Sequence, residues 1–188
     1  MALNLLDFDN ETRRFMFDEI QLDKESDNFY LSSFLTAHGK QIWAQLLEQS
    51  INYDDVWFER EIQNRRLLEQ FYTKRKPNSQ ALMQARVPVT AAQTLAEGEF
   101  NRLYVRGLCA RVLAEGGREI EAYRARHSEN PRTASIAIIG QRFSAENILN
   151  DLRSSQGVDS AFGLQQDQIL ASVLKGSSSR ANGSIHPR

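Results

Sequence analysis

The chain is poor in cysteine, and this scarcity excludes a class of folds. Cys109 is the one cysteine among 188 residues, so no disulfide can form within the chain. Small secreted domains commonly need several such bridges, whereas proteins of reducing compartments do not. We therefore expect a protein that folds without disulfides, or a particle component assembled in a reducing compartment.

Long apolar runs are also missing. Residues 1–7 contain no basic residue, and their apolar stretch ends at Asp7, so we predict no signal peptide. No uninterrupted apolar segment approaches the ~20 residues that a membrane-spanning helix needs. These two absences predict a soluble protein that is neither secreted nor held in a membrane.

Side chains typical of metal sites are few and scattered. The histidines are His38, His127 and His186, and they do not cluster in the sequence. Cys109 adjoins the apolar stripe of a predicted helix, where a free cysteine ordinarily serves as a small buried hydrophobic group. His127 is the one partner that a nucleophilic Cys109 could find. We predict no metal and no catalytic thiol.

Motifs that hold nucleotides are absent. Residues 138–141 contain one glycine and neither a lysine nor a Ser/Thr at Walker spacing. The pair Gly116-Gly117 precedes a predicted strand rather than a helix, which is the wrong order for a dinucleotide-binding turn. We therefore predict no cofactor.

Four glutamates offer one alternative, a metal-dependent nuclease or a counter-defence hydrolase. Such an enzyme needs two or three carboxylates brought together, usually with a lysine. The acid-x-lysine pattern is missing because position 123 is Tyr123. A solvated face is the ordinary role of glutamates at alternate strand positions, so we do not predict an enzyme. The glutamates are Glu97, Glu99, Glu119 and Glu121.

Charge is distributed unevenly although the formal net charge is −1. Residues 1–62 contain 13 acids and 5 bases, and residues 63–188 contain 11 acids and 18 bases. Such an asymmetry is typical of a nucleic-acid surface, or of two faces that meet other subunits.

Hydrophobic periodicity predicts an N-terminal helical region over residues 1–76. The first helix is capped by Asp9 or Asn10 and is followed by a charged turn at residues 23–28. The second is capped by Thr36, and the short break after it predicts that helices two and three pack as a hairpin. The predicted helices end near residues 22, 51 and 72.

A second region, residues 77–176, is predicted to combine one long helix with a small sheet. The helix starts near Thr90 or Thr94 and ends at Gly116-Gly117. Gly107 interrupts its apolar stripe at a cost of about 1 kcal/mol relative to alanine. We therefore expect another backbone to approach closely at Gly107.

The remaining predicted elements complete a helix-dominated α+β fold, in which the long helix packs on a two- or three-stranded sheet and the whole forms one continuous globule. Pro88 cannot donate to a strand ladder, so its segment is predicted as an edge strand or an arm. The predictions are a linker at 74–79, an extended segment at 85–90, strands at 119–126 and 135–139, helices at 144–157 and 167–174, and a flexible tail at 177–188.

Several short segments together resemble an uncharacterised family of small proteins associated with tailed phages and prophage regions. The segments are ARVPVT at 85–90, AEGEFNR at 96–102, YVRGLC at 104–109, AYRA at 122–125, and IG at 139–140 leading into NDLR at 150–153. The likeness covers about residues 85–165 and supplies no catalytic residues. It implies a virion or assembly component that is assembled in the host cytoplasm.

Arginines form the most suggestive pattern. Arg102 and Arg106 are four residues apart on the long helix, with Tyr104 between them, and Arg124 and Arg126 are two apart on a predicted strand. These four guanidiniums could line one surface that contacts phosphates or a neighbouring subunit's carboxylates. The alternatives are a subunit interface, a nucleic-acid surface, or a solvated face with internal Glu–Arg pairs.

From these observations we predict a structural or assembly protein that binds copies of itself and other virion proteins. A head–tail adaptor, a minor capsid protein or a cement-like protein would fit this description. The alternative is a nucleic-acid-binding protein that uses the basic residues of 63–76 and the arginine surface. Neither hypothesis requires a small-molecule substrate.

Overall fold

One long helix passes through the centre of the fold, and the other elements pack around it. The computed structural model describes residues 2–77, 80–125, 138–155 and 169–173. Within those ranges the chain forms helices and strands in the predicted α+β class. The helices are α1 (Asn10–Ser26), α2 (Ala37–Ser50), α3 (Asp55–Asn64), α4 (Ala91–Ala114) and α5 (Ala145–Ser154), and the strands are β1 (Phe71–Arg75), β2 (Leu82–Arg86), β3 (Glu119–Arg124), β4 (Arg142–Ser144) and β5 (Ile169–Val173).

Helix α4 is buried around its whole circumference from residue 96 to residue 109. It packs against α1, α3, α5 and the sheet that contains β3 and β5. A helix surrounded in this way cannot direct its polar side chains to water, so each needs a partner inside the protein. Among the described helices, none is long and apolar enough to cross a membrane.

Helices α1 and α4 approach each other closely at Gly107. A Cβ atom built on Gly107 would lie 2.6 Å from Met16 Cγ and 2.8 Å from the Met16 backbone nitrogen. Side chains do not tolerate such distances, so glycine is the residue that lets the two backbones meet. This confirms the close approach predicted from the sequence.

Side-chain caps begin α1, α2 and α5 at residues that the sequence predicts. The capping box predicted for α4 is wrong, because Thr90 precedes the helix without a side-chain capping hydrogen bond. The carboxylate or hydroxyl of the capping residue accepts a hydrogen bond from a backbone N–H of the first turn, which would otherwise lack a partner. The caps are Asp9 for α1, Thr36 for α2, Asp54 for α3 and Ser144 for α5. At the other end of α4, the chain turns at Gly116, whose φ of 79° suits glycine.

Two antiparallel sheets flank the helices. Strands β1 and β2 form a hairpin in which Phe71 pairs with Arg86 and Arg75 pairs with Leu82. The second sheet has the order β4-β3-β5, with β3 in the centre. The predicted strand at 119–126 is thereby confirmed over the length of β3.

The third helix is shorter than predicted, and the residues after it form other structure. Helix α3 ends at Asn64, and Arg66 adopts a left-handed φ of 53°. Buried Leu67 then accepts a hydrogen bond from the Thr36 N–H, which ties the chain to the start of α2. The predicted linker at 74–79 overlaps β1 and the hairpin turn, so the expected region boundary at residue 76 falls inside a hairpin.

Two further predictions are wrong because tertiary pairing overrides the local pattern. Helix α1 continues through the predicted turn to Ser26, and Asp23 is buried in it. The predicted helix at 167–174 is a strand over Ile169–Val173, since its backbone pairs with the free edge of β3. The predicted strand at 135–139 is wrong for residues 138–139, which lie in a helical turn and not in a strand. Residues 135–137 and the predicted tail lie outside the described residues.

The contact at Gly107 predicts the effect of the smallest possible substitution. Gly107→Ala should lower the free energy of unfolding by about 2 kcal/mol, because the added methyl group would push α1 from α4. Urea denaturation followed by circular dichroism would measure this change.

Ala114→Gly is the control, since it alters an exposed position at the end of the same helix and should cost at most about 1 kcal/mol through helix propensity alone. Stabilisation by Gly107→Ala, as propensity alone predicts, would contradict the close approach.

Candidate functional site

Six charged side chains meet inside the protein where α1, α4 and α5 pack together. We call them the buried network: Glu19, Asp23, Glu99, Arg102, Arg106 and Arg153. The first five are at most 2% exposed, and Arg153 is partly exposed at the rim. Three acids face three arginines, so the formal charges of the network balance.

Arg106 is the best-satisfied member. Its guanidinium donates to both carboxylate oxygens of Asp23, at 2.6 and 2.9 Å, and its Nε donates to Glu19 Oε2 at 2.9 Å. The planar fork of arginine matches a carboxylate in this bidentate manner. Because both acids belong to α1, Arg106 fixes the position of α1 on α4.

Glu19 extends the network to α5. Arg153 donates from Nη2 to Glu19 Oε1 at 2.5 Å and from Nε to Glu19 Oε2 at 3.0 Å. One carboxylate therefore receives hydrogen bonds from arginines of two different helices. The network joins three helices that are distant in the sequence.

Arg102 and Glu99 form the looser end of the network. Arg102 Nη1 donates to the Leu152 carbonyl at 3.2 Å, while its Nη2 lies 3.4 Å from Glu99 Oε2 and 3.8 Å from Asp23 Oδ2. Arg102 Nε and Glu99 Oε2 make no hydrogen bond although both are buried. Burial raises the pKa of Glu99, because desolvation of its carboxylate outweighs the nearby charges of Arg102 and Arg106.

Tyr104 lies in the core rather than on a surface. Its hydroxyl accepts a hydrogen bond from the Asp7 N–H at 3.3 Å, and its ring packs edge-on against Phe8. Tyr123 binds the same N-terminal segment, since its hydroxyl donates to the Asn4 carbonyl at 2.8 Å. Burial raises the pKa of Tyr104, so this phenol stays protonated. Tyr104 is therefore part of the packing that holds the N-terminus.

The predicted arginine surface is wrong for its central members. Arg102 and Arg106 do share a helix face, as expected, but that face lies inside the protein because α1 and α5 cover it. Arg124 is half-buried on β3, and Arg126 lies outside the described residues. One sequence signal could have revealed the network: Glu19 and Asp23 repeat on α1 the four-residue spacing of Arg102 and Arg106.

The four glutamates do not form the carboxylate cluster of the alternative hypothesis. Glu97 and Glu99 are buried in α4, whereas Glu119 is exposed on β3. Across the part of the chain that the structure describes, no three His, Cys, Asp or Glu side chains form a group that could hold a metal ion. The glutamates therefore offer no metal site within that part.

Cys109 is fully buried in α4, and burial raises the pKa of its thiol. A thiol in this state is not a nucleophile at neutral pH. His127, the histidine considered as its partner, lies outside the described residues. Cys109 therefore has the character of a core side chain, as predicted.

The β1–β2 hairpin is the most exposed element of the described chain. Its outer face carries Phe71 at 48% exposure and Leu82 at 66%. On that face Arg86 stacks over the Phe71 ring at 5.7 Å. Residues 70–90 contain four basic residues and no acid. We name the exposed side chains Phe71, Thr73, Arg75, Leu82, Gln84 and Arg86 the hairpin outer face.

The opposite side of the hairpin contacts the body of the protein. Tyr72 packs edge-on against Phe34, with ring centroids 4.9 Å apart. Within the described residues the hairpin forms a two-stranded sheet, and no third strand joins it. A two-stranded hairpin of this kind is marginally stable in water without further contacts.

Comparisons with known proteins found no relative of this chain. No family model, no curated protein and no solved structure matches the chain.

Removal of Arg106 should destabilise the protein strongly. Arg106→Met would leave the carboxylates of Glu19 and Asp23 buried without their main partner, at a cost of about 3–5 kcal/mol. Chemical denaturation near neutral pH would measure the loss.

Arg65→Gln is the matched control, because Arg65 forms an exposed helix pair with Glu61. It should cost only a few tenths of a kcal/mol, ~0.3–0.5. Equal effects of the two substitutions would contradict a structural role for the network.

Glu99 should make stability depend on pH in a defined direction. Its pKa is raised in the folded state, so its contribution to stability is complete below the unfolded pKa of about 4.3 and is lost as the pH rises through the folded pKa. The free energy of unfolding of the wild type minus that of Glu99→Gln should therefore fall as the pH rises. Urea denaturation from about pH 4 to pH 8 would test this, and a difference that grows with pH would reverse the assignment.

Proposed function

We propose that this chain is a structural or assembly protein of a tailed phage virion and acts by oligomerisation. Such a protein could serve as a head–tail adaptor, a minor capsid protein or a cement-like protein. The resemblance of residues 85–165 supports the phage part of the proposal. The exposed hairpin is the single observation that supports association.

The hairpin has the features of a contact arm. Phe71 and Leu82 expose apolar area on its outer face, and Val89, just after it, is 96% exposed. Side chains of this kind gain stability when another surface covers them. The outer edge of a two-stranded sheet also presents backbone N–H and C=O groups that an added strand can pair with.

Charge complementarity favours a second copy of the chain as the partner. The hairpin is cationic through Lys74, Arg75, Lys76 and Arg86, whereas residues 1–62 carry a formal balance of −8. On α1, Asp18, Leu22 and Glu25 are exposed at helical spacing. Leu22 and Glu25 also line a surface pocket beside Asp23, Arg106 and Arg153 of the buried network. We name Asp18, Leu22 and Glu25 the α1 outer face. It combines two acids with an apolar side chain, whereas the hairpin outer face combines bases with apolar side chains.

A contact between these two faces joins different surfaces of two copies. Such heterologous contacts generate a ring when the rotation closes and a filament when it does not. Rings and lattices are the assemblies that an adaptor or a cement-like protein forms. The buried network would serve this role by holding α1, and thus its outer face, in a fixed orientation.

Charge reversal tests the proposed contact. Arg75→Glu with Arg86→Glu should weaken self-association by at least about tenfold, and so should Asp18→Lys with Glu25→Lys, because each places like charges opposite one another. An equimolar mixture of the two double variants should associate again. Light scattering coupled to size exclusion, at low and at high salt, would measure the oligomer.

The double variant Arg118→Glu with Arg142→Glu is the matched control, since it reverses two exposed arginines of the other sheet region and should leave association intact. A wild-type chain that stays monomeric at every salt concentration would contradict the proposal. Absence of the chain from purified virions and from assembly intermediates would end its phage part.

Nucleic-acid binding is the second candidate function, and the same four hairpin cations favour it. Binding to phosphates would release counterions, so affinity for DNA would fall steeply with salt. A gel shift that Arg75→Glu with Arg86→Glu abolishes, together with unchanged self-association, would favour this candidate. Absence of any shift at low salt would exclude it.

A further inference from the structure

The two outer edges of the β1–β2 hairpin differ in their surroundings. Beside the start of β1, the Glu69 N–H donates a hydrogen bond to the Phe34 carbonyl at 2.8 Å, and Leu35 forms a β-bridge with Leu68. A strand added to β1 would therefore meet this neighbouring segment. Within the described residues, β2 pairs with β1 alone, and no strand pairs with its other edge. The edge of β2 is thus the more accessible of the two.

The hydrogen bonds at the two ends of the hairpin determine which backbone groups point out of it. The Val87 N–H donates to the Gln70 carbonyl at 3.0 Å, and the Lys76 N–H donates to the Ala81 carbonyl at 2.9 Å. In an antiparallel pair of strands, hydrogen-bonded and non-hydrogen-bonded residue pairs alternate. Every second residue pair between those ends therefore directs its N–H and C=O groups outward. These pairs are Phe71–Arg86, Thr73–Gln84 and Arg75–Leu82.

Three residues of β2 thus present backbone groups at its outer edge, namely Leu82, Gln84 and Arg86. The next outward position is Pro88, which has no N–H and whose carbonyl accepts a hydrogen bond from the Ala91 N–H. The edge that can pair therefore ends at Arg86. Unpaired edge groups of this kind are those with which an added strand forms hydrogen bonds. A third strand would also stabilise the hairpin, because two strands alone are marginally stable.

We propose that the edge of β2 binds an extended, acidic segment of another protein, which adds to the hairpin as a third, antiparallel strand. The residues of that segment that hydrogen-bond with β2 place their side chains on the hairpin outer face. The one opposite Arg86 is an acid, because opposite charges stabilise a cross-strand pair. The one opposite Gln84 is polar, and the one opposite Leu82 is apolar. The recognised pattern is therefore acid-x-polar-x-apolar.

Charge favours an acidic segment over a second hairpin of the same chain. Residues 70–90 contain Lys74, Arg75, Lys76 and Arg86 and no acid. Two such hairpins placed edge to edge would repel each other. The proposed strand pairs with the backbone of β2, whereas the proposed self-association uses side chains of the hairpin outer face and the α1 outer face. This inference therefore goes beyond self-association and does not depend on it.

A blocked peptide of sequence TETTTVT tests the proposal on the full chain. In the proposed register its glutamate opposes Arg86, its central threonine opposes Gln84 and its valine opposes Leu82. Titration followed by ¹⁵N–¹H correlation spectra should shift the amides of these three residues, and the bound peptide should protect them from hydrogen exchange. The same peptide with lysine in place of glutamate should bind about fivefold more weakly.

N-methylation of the peptide separates backbone pairing from attraction between side chains. Methylation of the central threonine nitrogen removes its hydrogen bond with Gln84 and should weaken binding at least about tenfold. Methylation of an adjacent threonine is the matched control, because that N–H points away from β2. It should change the affinity by less than about twofold.

Proline substitutions test the same edge from the side of the protein. Gln84→Pro removes an outward N–H and keeps the bonds between β1 and β2, since proline is tolerated where the N–H faces solvent. It should abolish peptide binding and leave self-association unchanged. Thr73→Pro makes the same change at the outer edge of β1 and should leave peptide binding intact.

Three results would overturn the proposal. Equal binding of all the methylated peptides would show that the peptide does not pair its backbone with β2. Loss of binding in Thr73→Pro but not in Gln84→Pro would assign the peptide to β1. Absence of any shift among the β2 amides at the highest peptide concentration would exclude binding at this edge.

Discussion

The pairing of Arg106 with Asp23 and Glu19 is the interaction on which the rest of the structure depends. It lies at the crossing of α1 and α4, next to the point where Gly107 admits the backbone of Met16. A guanidinium with no exposure cannot be left without partners, because desolvation of an unpaired charge costs several kcal/mol. Helix α1 must therefore lie close enough to α4 for its carboxylates to reach Arg106. Gly107 allows this close approach, and the acids of α1 supply the partners.

The hydrogen bonding of the buried network is more complete at one end than at the other. Around Arg106 and Arg153 the hydrogen bonds are short and bidentate, which resists any shift of the three helices. Around Glu99 and Arg102 the contacts are longer, and two buried polar atoms lack hydrogen bonds. At that end, Glu99 also lines a cleft beside the N-terminal half of α4, together with Tyr30, Phe34 and Leu95.

The fold divides its cations between two roles. Arg102 and Arg106 of the central helix are buried and tie elements together. The basic residues of the hairpin face solvent, and residues 70–90 contain no acid. The same residue type therefore stabilises the fold in one place and is exposed to solvent in the other. Because the arginines of the long helix are buried, the proposed contact between copies is assigned to the hairpin and no longer to the long helix.

The sequence by itself determined the local features: the caps at Asp9, Thr36 and Ser144, the long helix ended by its glycine pair, and the close approach at Gly107. Cap chemistry, helix periodicity and the missing Cβ act over a few residues, so a local reading captures them. Only the tertiary structure decided that Arg102 and Arg106 are buried, that residues 71–86 form a hairpin, and that residues 169–173 form a strand. The buried arginines and the strand at 169–173 depend on partners far away in the chain, such as Asp23 for Arg106 and β3 for β5. The sequence around an arginine does not indicate whether water or a distant carboxylate will bind its guanidinium. The burial of Arg102 and Arg106 therefore became evident only from the packing of α1 on α4.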